Sequence, residues 1–475
     1  MVWFLKGCVC GLFIVCLACS HGAVRYEYVE RSLIQGHPEV ADRVIEQSQD
    51  RYRAQDRLLY VMDRGMTLHL AGRYRESITY LDEAIRLVEQ LYTKHMRDEA
   101  RALLVNDREL PYEGEAYEHI MIHVLQALNY ALVDEIDEAL VEARNIDHRL
   151  NVLSDARDPD EYHEDPFARY LSGLLYEAAG DLTNAYVAYR KAERAYQKAR
   201  PWLKLPVPTL LQQDLLWITQ ALGLDNEYAM YRTRYPDVPE RPVVDGGGSL
   251  VLVSFVGRAP RKEEQVVDVP LSLDALQLVV LAKQVRGRGI HRVRIGEAAL
   301  YGLYGKIVRV ALPEIVPQPS RVARNHLSLH NGSHYYHGYT MRMYDLGAVA
   351  KKNLEDTYPA LLVRAAARVA LKMGLAEGIG YSVNAAVHRD EDQWIGALVA
   401  AIARIFALAT EEADTRSWRL LPGEIHLARL WVPAGAYRVR IESIDRAGRK
   451  IDREHVFEII LAPGQTRFLT HRVLD

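Results

Sequence analysis

The spacing of apolar residues along this chain changes once, near residue 236. Between Arg25 and Tyr235 they recur every three or four residues, the period of amphipathic helices, with almost no strand-like alternation. Beyond residue 249 the apolar run Leu250–Phe255 reads as a strand, and alternating pieces follow at Val266–Pro270 and Ile307–Leu312. Between the two regimes lie three prolines from Pro236 to Pro242 and the triplet Gly246-Gly247-Gly248, which read as a linker. The pattern predicts an α+β multidomain chain. Residues 25–236 form an all-α helical repeat domain, 237–249 a flexible linker, and 250–475 an α+β domain. The last stretch, about 424–475, reads as a small antiparallel β unit.

The helical region repeats itself. The stretch GLLYEAAGDLTNAYVAYRKAERAY from Gly173 matches the tetratricopeptide (TPR) template. Gly173 lets two helices approach, Tyr176 fills the space between them and Gly180-Asp181 makes the turn. Ala185, Tyr189 and Ala192 then fall on one face of the second helix. The same offsets recur at Gly65, Gly72, Tyr74, Ser77, Leu81 and Ala84, and a weaker copy runs from Ala127 through Asp134 and Ala139. A degenerate fourth, from Leu222, ends at Pro236. The turn positions 72, 134 and 180 lie 62 and 46 residues apart, against 34 in a regular array, so insertions interrupt the repeat. A non-repeat helical bundle is the competing reading. An array of this kind carries no reactive chemistry; its concave groove, lined by the first helix of each pair, takes up a peptide.

In the second half, Asn331-Gly332 predicts a hairpin with a two-residue turn, pairing His330 with Ser333 and His326 with His337. His326, His330 and His337 then share a face and His334 lies opposite. No acidic residue stands among them to complete or orient a metal site, and none is assigned. Helices are expected from Ala348 to Gly374, broken at Pro359, and from Trp394 to Thr410. The second is apolar nearly all round and reads as buried. Strands follow at Glu424–Ile441, Arg453–Ile460 and Thr466–Val473.

Charge divides along the same boundary. Arg25–Val243 carries 27 Lys+Arg against 39 Asp+Glu, and the chain from Val244 onward 31 against 24. An acidic half followed by a basic half attract each other, face different partners, or are simply solvated. No concentrated basic stripe suggests nucleic acid. The signatures GxSxG, HExxH and SxxK are absent and no cofactor is implied, so an enzyme is not expected. All four cysteines (8, 10, 16 and 19) precede residue 20. Lys6 and the apolar run from Val9 to Ala18 form a signal-peptide pattern too short to span a bilayer, which takes about 20 residues. The run ends Leu17-Ala18-Cys19, which resembles a bacterial lipobox with Cys16 in place of the usual leucine. Residues 1–19 are thus expected to be a lipoprotein signal, with Cys19 lipidated (palmitate among its acyl chains) and the rest of the chain in water. Cleavage after Ser20, giving a soluble periplasmic or secreted form, is the rival.

Two blocks resemble one family of TPR-containing bacterial envelope lipoproteins. They are LPYEGEAYEHIMIHVLQALNYALVDEIDEALVEAR from Leu110 and DTRSWRLLPGEIHLARLWVPAG from Asp414. The resemblance implies a cell-envelope protein, with Ser20 compatible with the outer membrane facing the periplasm, and brings no activity or ligand. Candidate partner-binding residues within the blocks are Tyr117, Glu118, Asn129, Tyr130, Glu142 and Arg144, and Asp414, Arg416 and Trp418. The bland alternatives are a polar network bracing the first block, and capping or interdomain packing in the second. The expected function is a membrane-tethered scaffold binding another envelope protein or peptide. A carrier of a small ligand or cell-wall fragment is the alternative.

Overall fold

A computed structural model describes residues 24–102, 107–155, 164–270, 307–386, 412–451 and 454–475. Cys19 and the helix expected from Trp394 lie outside them.

Five consecutive helical hairpins open the chain: α1 (Tyr26–Ile34) with α2 (Pro38–Glu46), α3 (Arg57–Leu70) with α4 (Tyr74–Ala102), α5 (Ala116–Leu132) with α6 (Ile136–Asp155), α7 (Pro166–Ala178) with α8 (Leu182–Leu203), and α9 (Thr209–Ala221) with α10 (Asp225–Arg234). Each helix packs on the next, as in a solenoid. Each turn passes through one left-handed residue: Gly36, Gly72, Asp134, Gly180 and Gly223, with φ of 74, 72, 61, 79 and 65°. Three of these are the turn positions read from the sequence. Where α7 and α8 cross, Gly173 faces the Tyr189 ring so closely that any β-carbon would collide with it.

The described residues of the second half form ten strands and one helix. They are β1 (Gly247–Val256), β2 (Arg261–Pro270), β3 (Ile307–Val316), β4 (Val322–His330), β5 (Tyr335–Tyr339), β6 (Met341–Asp345), α11 (Leu346–Ala386), β7 (Glu424–Pro433), β8 (Gly435–Asp445), β9 (His455–Leu461) and β10 (Thr466–Val473). One sheet has the order β10-β1-β7-β6, a second β5-β4-β8-β9, and β2 pairs with β3 as a ribbon. Alternation along β1 sets up the layers. Leu250 and Leu252 point into a core shared with Leu327, Leu329, Val439 and Ile441 of the second sheet. Val251, Val253 and Phe255 point the other way, into the core of the helical array. The layers are therefore helices, sheet, sheet.

This arrangement departs from the sequence reading in four places. The region 424–475 is not a local β unit: β10 pairs in parallel with β1, more than 200 residues earlier, while β8 and β9 join the other sheet. Burial on both faces, not chain proximity, chose those partners. Residues 237–249 are not a flexible spacer either. Gln213 donates to the Pro239 and Glu240 carbonyls, and Gly247 and Gly248 lie where a β-carbon would strike the Val432 and Gln465 carbonyls. The Asn331-Gly332 hairpin closes with four loop residues, because the Asn331 side chain accepts from the Ser333 and His334 amides. The register moves by two to His330–Tyr335 and His326–Tyr339. That shift preserves the faces, so His326 and His337 still meet, diagonally, with ring centroids 5.7 Å apart. Finally, α11 runs through Pro359 without a break.

Candidate functional site

The groove expected to receive a partner is filled by the chain's own sheet. The first helices of the hairpins, those that line the groove of such an array, all meet the second half. From α3, the His69 ring lies 5.7 Å from Phe255. From α5, Glu118 receives the Trp418 amide at 2.7 Å. Asp165, capping α7, accepts the Tyr344 hydroxyl, and Asp214 of α9 pairs with Arg429 at 3.1 Å. Ion pairs between the acidic array and the basic half line this junction: Glu30 with Arg258, Asp56 with Arg416, Asp107 with Arg368, Glu115 with Lys262 and Asp134 with Arg467. The charge asymmetry of the sequence is thus spent largely inside the molecule.

The residues singled out from the sequence divide between this junction and the outer surface. Glu118 is fully buried and accepts from the Tyr112 hydroxyl (2.6 Å), the Glu115 amide (3.0 Å) and the Trp418 amide. Burial pushes its carboxyl up, Glu115 adds to this, and Lys262 opposes it. Arg416 places all five of its N–H donors: on Asp414 twice, on Asp56, and on the Leu110 and Asp107 carbonyls. The two blocks that carry the family resemblance therefore meet in space at Glu118, Trp418 and Arg416, and they do so as interior contacts. Tyr117 and Asn129 are also buried. Asn129 donates to the Ser77 hydroxyl at 2.9 Å and accepts from His69 Nδ1 at 2.7 Å; burial lowers the His69 pKa to about 4, so it bonds as the neutral ring. Tyr130 is half-buried and packs on the core. Of the repeat residues, Ala185, Tyr189 and Ala192 are fully buried, Gly65 faces Leu81, and Tyr74 reaches Thr470.

One interior network was not anticipated. Arg429 of β7, with no exposed side-chain surface, bonds Glu177 at 2.6 and 3.0 Å and Asp214 at 3.1 Å. Arg241, from the segment read as a linker, also reaches Glu177 at 2.7 Å and lies between the Trp217 and Trp431 rings, 3.9 and 4.9 Å from their centroids. Burial raises both carboxyls, but the two guanidiniums and the Tyr189 hydroxyl outweigh it at Glu177 and hold that group low. At Asp214 burial prevails and the carboxyl stands above its usual range. An internal Asp in α9 and an Arg in a strand carry no spacing signal; only the fold brings them together.

Glu142, buried, and Arg144, exposed, lie elsewhere, on α6, whose outer face is open to solvent. Two clefts flank this helix, with an inner helix as the floor and two outer helices as walls. The first, about 280 Å³, lies between α4, α5 and α6 and is lined by His119, His123, Asn145, His148 and Arg149. His119 donates from Nε2 to the Glu113 carbonyl and accepts from Arg149 at Nδ1, both at 2.7 Å, an arrangement open only to the neutral ring. Burial, reinforced by Arg149, lowers its pKa to about 4. Glu142 holds His123 Nδ1 at 2.7 Å. The second cleft, about 270 Å³, lies between α6, α7 and α8 and is lined by Arg144, Asp147, Arg169, Tyr176, Asn184 and Lys191. Arg169 and Lys191 converge on Asp147, and against the effect of burial they lower its pKa. Arg144 is exposed and interacts with Tyr176. His148 lines both clefts. The sequence signal for this site was the polar row 144, 147, 148, 151 at helical spacing, which a repeat template does not flag.

Among the described residues no group of three or more His, Cys, Asp or Glu is placed to hold a metal ion, and no helix is long and apolar enough to cross a membrane.

No family model and no curated protein matches the chain. Solved structures similar to it are helical-repeat proteins. MamA is 14% identical over 44% of this chain and 92% of its own, with a TM-score of 0.29. The TPR-like repeats of a putative kinesin light chain from Podosopora anserina are 14% identical over 45% and 92%, TM-score 0.31. BtubC from P. vanneervenii is 12% identical over 46% and 82%, TM-score 0.31. At such scores the TPR-like character rests on the hairpins, turns and glycine contacts described above.

Proposed function

We propose that the protein is a protein-binding scaffold of the bacterial cell envelope, tethered through lipid on Cys19, whose partner docks on the outer face along α6. The observation that carries this reading is the filling of the inner groove by the sheet. Among the described residues the outer side of the array offers concave, polar surface in two clefts that share α6. The second cleft suits a peptide carrying a carboxylate. Arg144 is solvent-facing, and Lys191 shares its one anion, Asp147, with Arg169. The role is binding rather than catalysis.

A photocrosslinking residue at Val187, on the wall of the second cleft, tests this in the native envelope. The expected result is one crosslinked partner, lost in Arg144→Glu while thermal melting is unchanged. No crosslink at Val187, or crosslinks only from beneath the sheet at Phe255, would overturn the docking site. The tether is tested separately: Cys19→Ser moves the protein from the membrane to the soluble fraction.

A further inference from the structure

The outer face of the second sheet is open to solvent, and its register builds an ordered surface. Along β5, Tyr335, His337 and Tyr339 all point outward, with Tyr335 57% and Tyr339 45% exposed. The first and last stand roughly 13 Å apart at the rise of a strand. The Tyr335 and His337 rings lie 5.8 Å apart and are tilted by only 31°, forming a nearly continuous flat strip. Beside the strip, His330 pairs across to Arg438 and Ser328 to Arg440. Arg438 is exposed and has no ion pair among the described residues, whereas Arg440 is held by Glu454 at 2.7 Å.

We infer that this face binds a polysaccharide strand bearing sparse carboxylates. Exposed rings with a polar edge offer stacking area for the apolar faces of sugars. The exposed Arg438 guanidinium, across from Glu458 in register, matches a sugar carboxylate in fork geometry, and the exposed Glu458 carboxylate accepts from hydroxyls. The charge balance selects against a polyanion. Arg324, Arg438, Arg440 and Lys450 are offset by Glu442, Glu454 and Glu458, so a strand with one charge per unit would meet nearly as many anions as cations. A single-stranded nucleic acid, which also stacks on exposed rings, is disfavoured for that reason. The site is on a sheet, apart from the α6 clefts between the helices, and does not depend on the scaffold reading.

Calorimetric titration of the detergent-solubilised full chain tests it with three probes: a xylo-oligosaccharide bearing a single glucuronic acid, neutral xylohexaose and a single-stranded oligothymidylate. Saturable binding of the glucuronic-acid-bearing oligosaccharide is expected, weakened about tenfold or more by either Tyr335→Ala or Arg438→Ala. Arg144→Glu, in the proposed protein-docking cleft, leaves it unchanged. Failure to bind the glucuronic-acid-bearing oligosaccharide, equal affinity for xylohexaose, tighter binding of the oligothymidylate, or full affinity in Tyr335→Ala would each overturn the inference.

Discussion

Replacing Arg429 by methionine probes the junction between the array and the sheet at its most buried point. The side chain has no exposed surface and neutralises Glu177 and Asp214, whose side chains are 5% and 0% exposed. The substitution keeps the apolar stem and removes only the guanidinium. Glu177 retains Arg241 at 2.7 Å and the Tyr189 hydroxyl, also at 2.7 Å. Asp214 retains the Tyr170 hydroxyl at 2.7 Å and loses its contacting cation. The perturbation thus amounts to one uncompensated buried carboxylate, a loss of about 3–5 kcal/mol out of the 5–15 kcal/mol typical of a folded protein. Urea unfolding followed by tryptophan fluorescence reads it directly, since Arg429 lies 5.0 Å from the Trp431 ring centroid. The pH dependence gives an independent check. Glu177 is held below its unfolded pKa, so its pairing contributes stability above the unfolded value, near 4.3, and loses it as pH falls through the folded value of about 2. In the variant that contribution shrinks and Asp214 is protonated more readily. The Glu177 share of the gap between wild type and variant is therefore lost as pH falls from about 4 to 2, and the Asp214 share opens as pH rises above about 6, where that group ionises in the wild type. A loss under about 1 kcal/mol at pH 7, below even an ordinary broken hydrogen bond, or a gap independent of pH, would refute the clamp.

Three further outcomes are expected. Burial raises the pKa of Asp63 to about 7 against the hydrogen bonds from Tyr26 and Tyr52, so its protonated form stabilises the fold at low pH and that stability is lost as pH rises from about 4 to 7. Asp63→Asn should flatten this decline in thermal melts, and an unchanged slope would refute it. Arg472 has buried Nε and Nη1 atoms without partners and a pKa lowered by burial to about 9; Arg472→Met is expected to raise stability by about 1–3 kcal/mol, and a drop in melting temperature would contradict this. Gly173→Ala drives a methyl into the Tyr189 ring and should cost about 1–3 kcal/mol, whereas a neutral melt would mean that the ring has room to move.

What the sequence determined by itself is local. Helical period, left-handed turn residues and the glycine opposite Tyr189 are properties of neighbours within one hairpin, so Gly72, Asp134, Gly180 and Gly173 were readable in order along the chain. The apolar run Leu250–Phe255 likewise announced a strand. The tertiary structure decided everything that joins distant segments. A continuous apolar run in β1 fits burial on both faces, but it cannot say that one face will meet helices and the other a second sheet, because the pattern names no partner. Glu118, Asp414, Arg416 and Trp418 stood out as polar and aromatic residues in distinctive blocks, but whether such residues bind a partner or each other depends on what covers them. Here the second half covers them, since the acidic array and the basic sheet neutralise each other. The open polar surface is left on α6, and the Arg429–Glu177–Asp214 clamp assembles from three elements with no proximity in sequence.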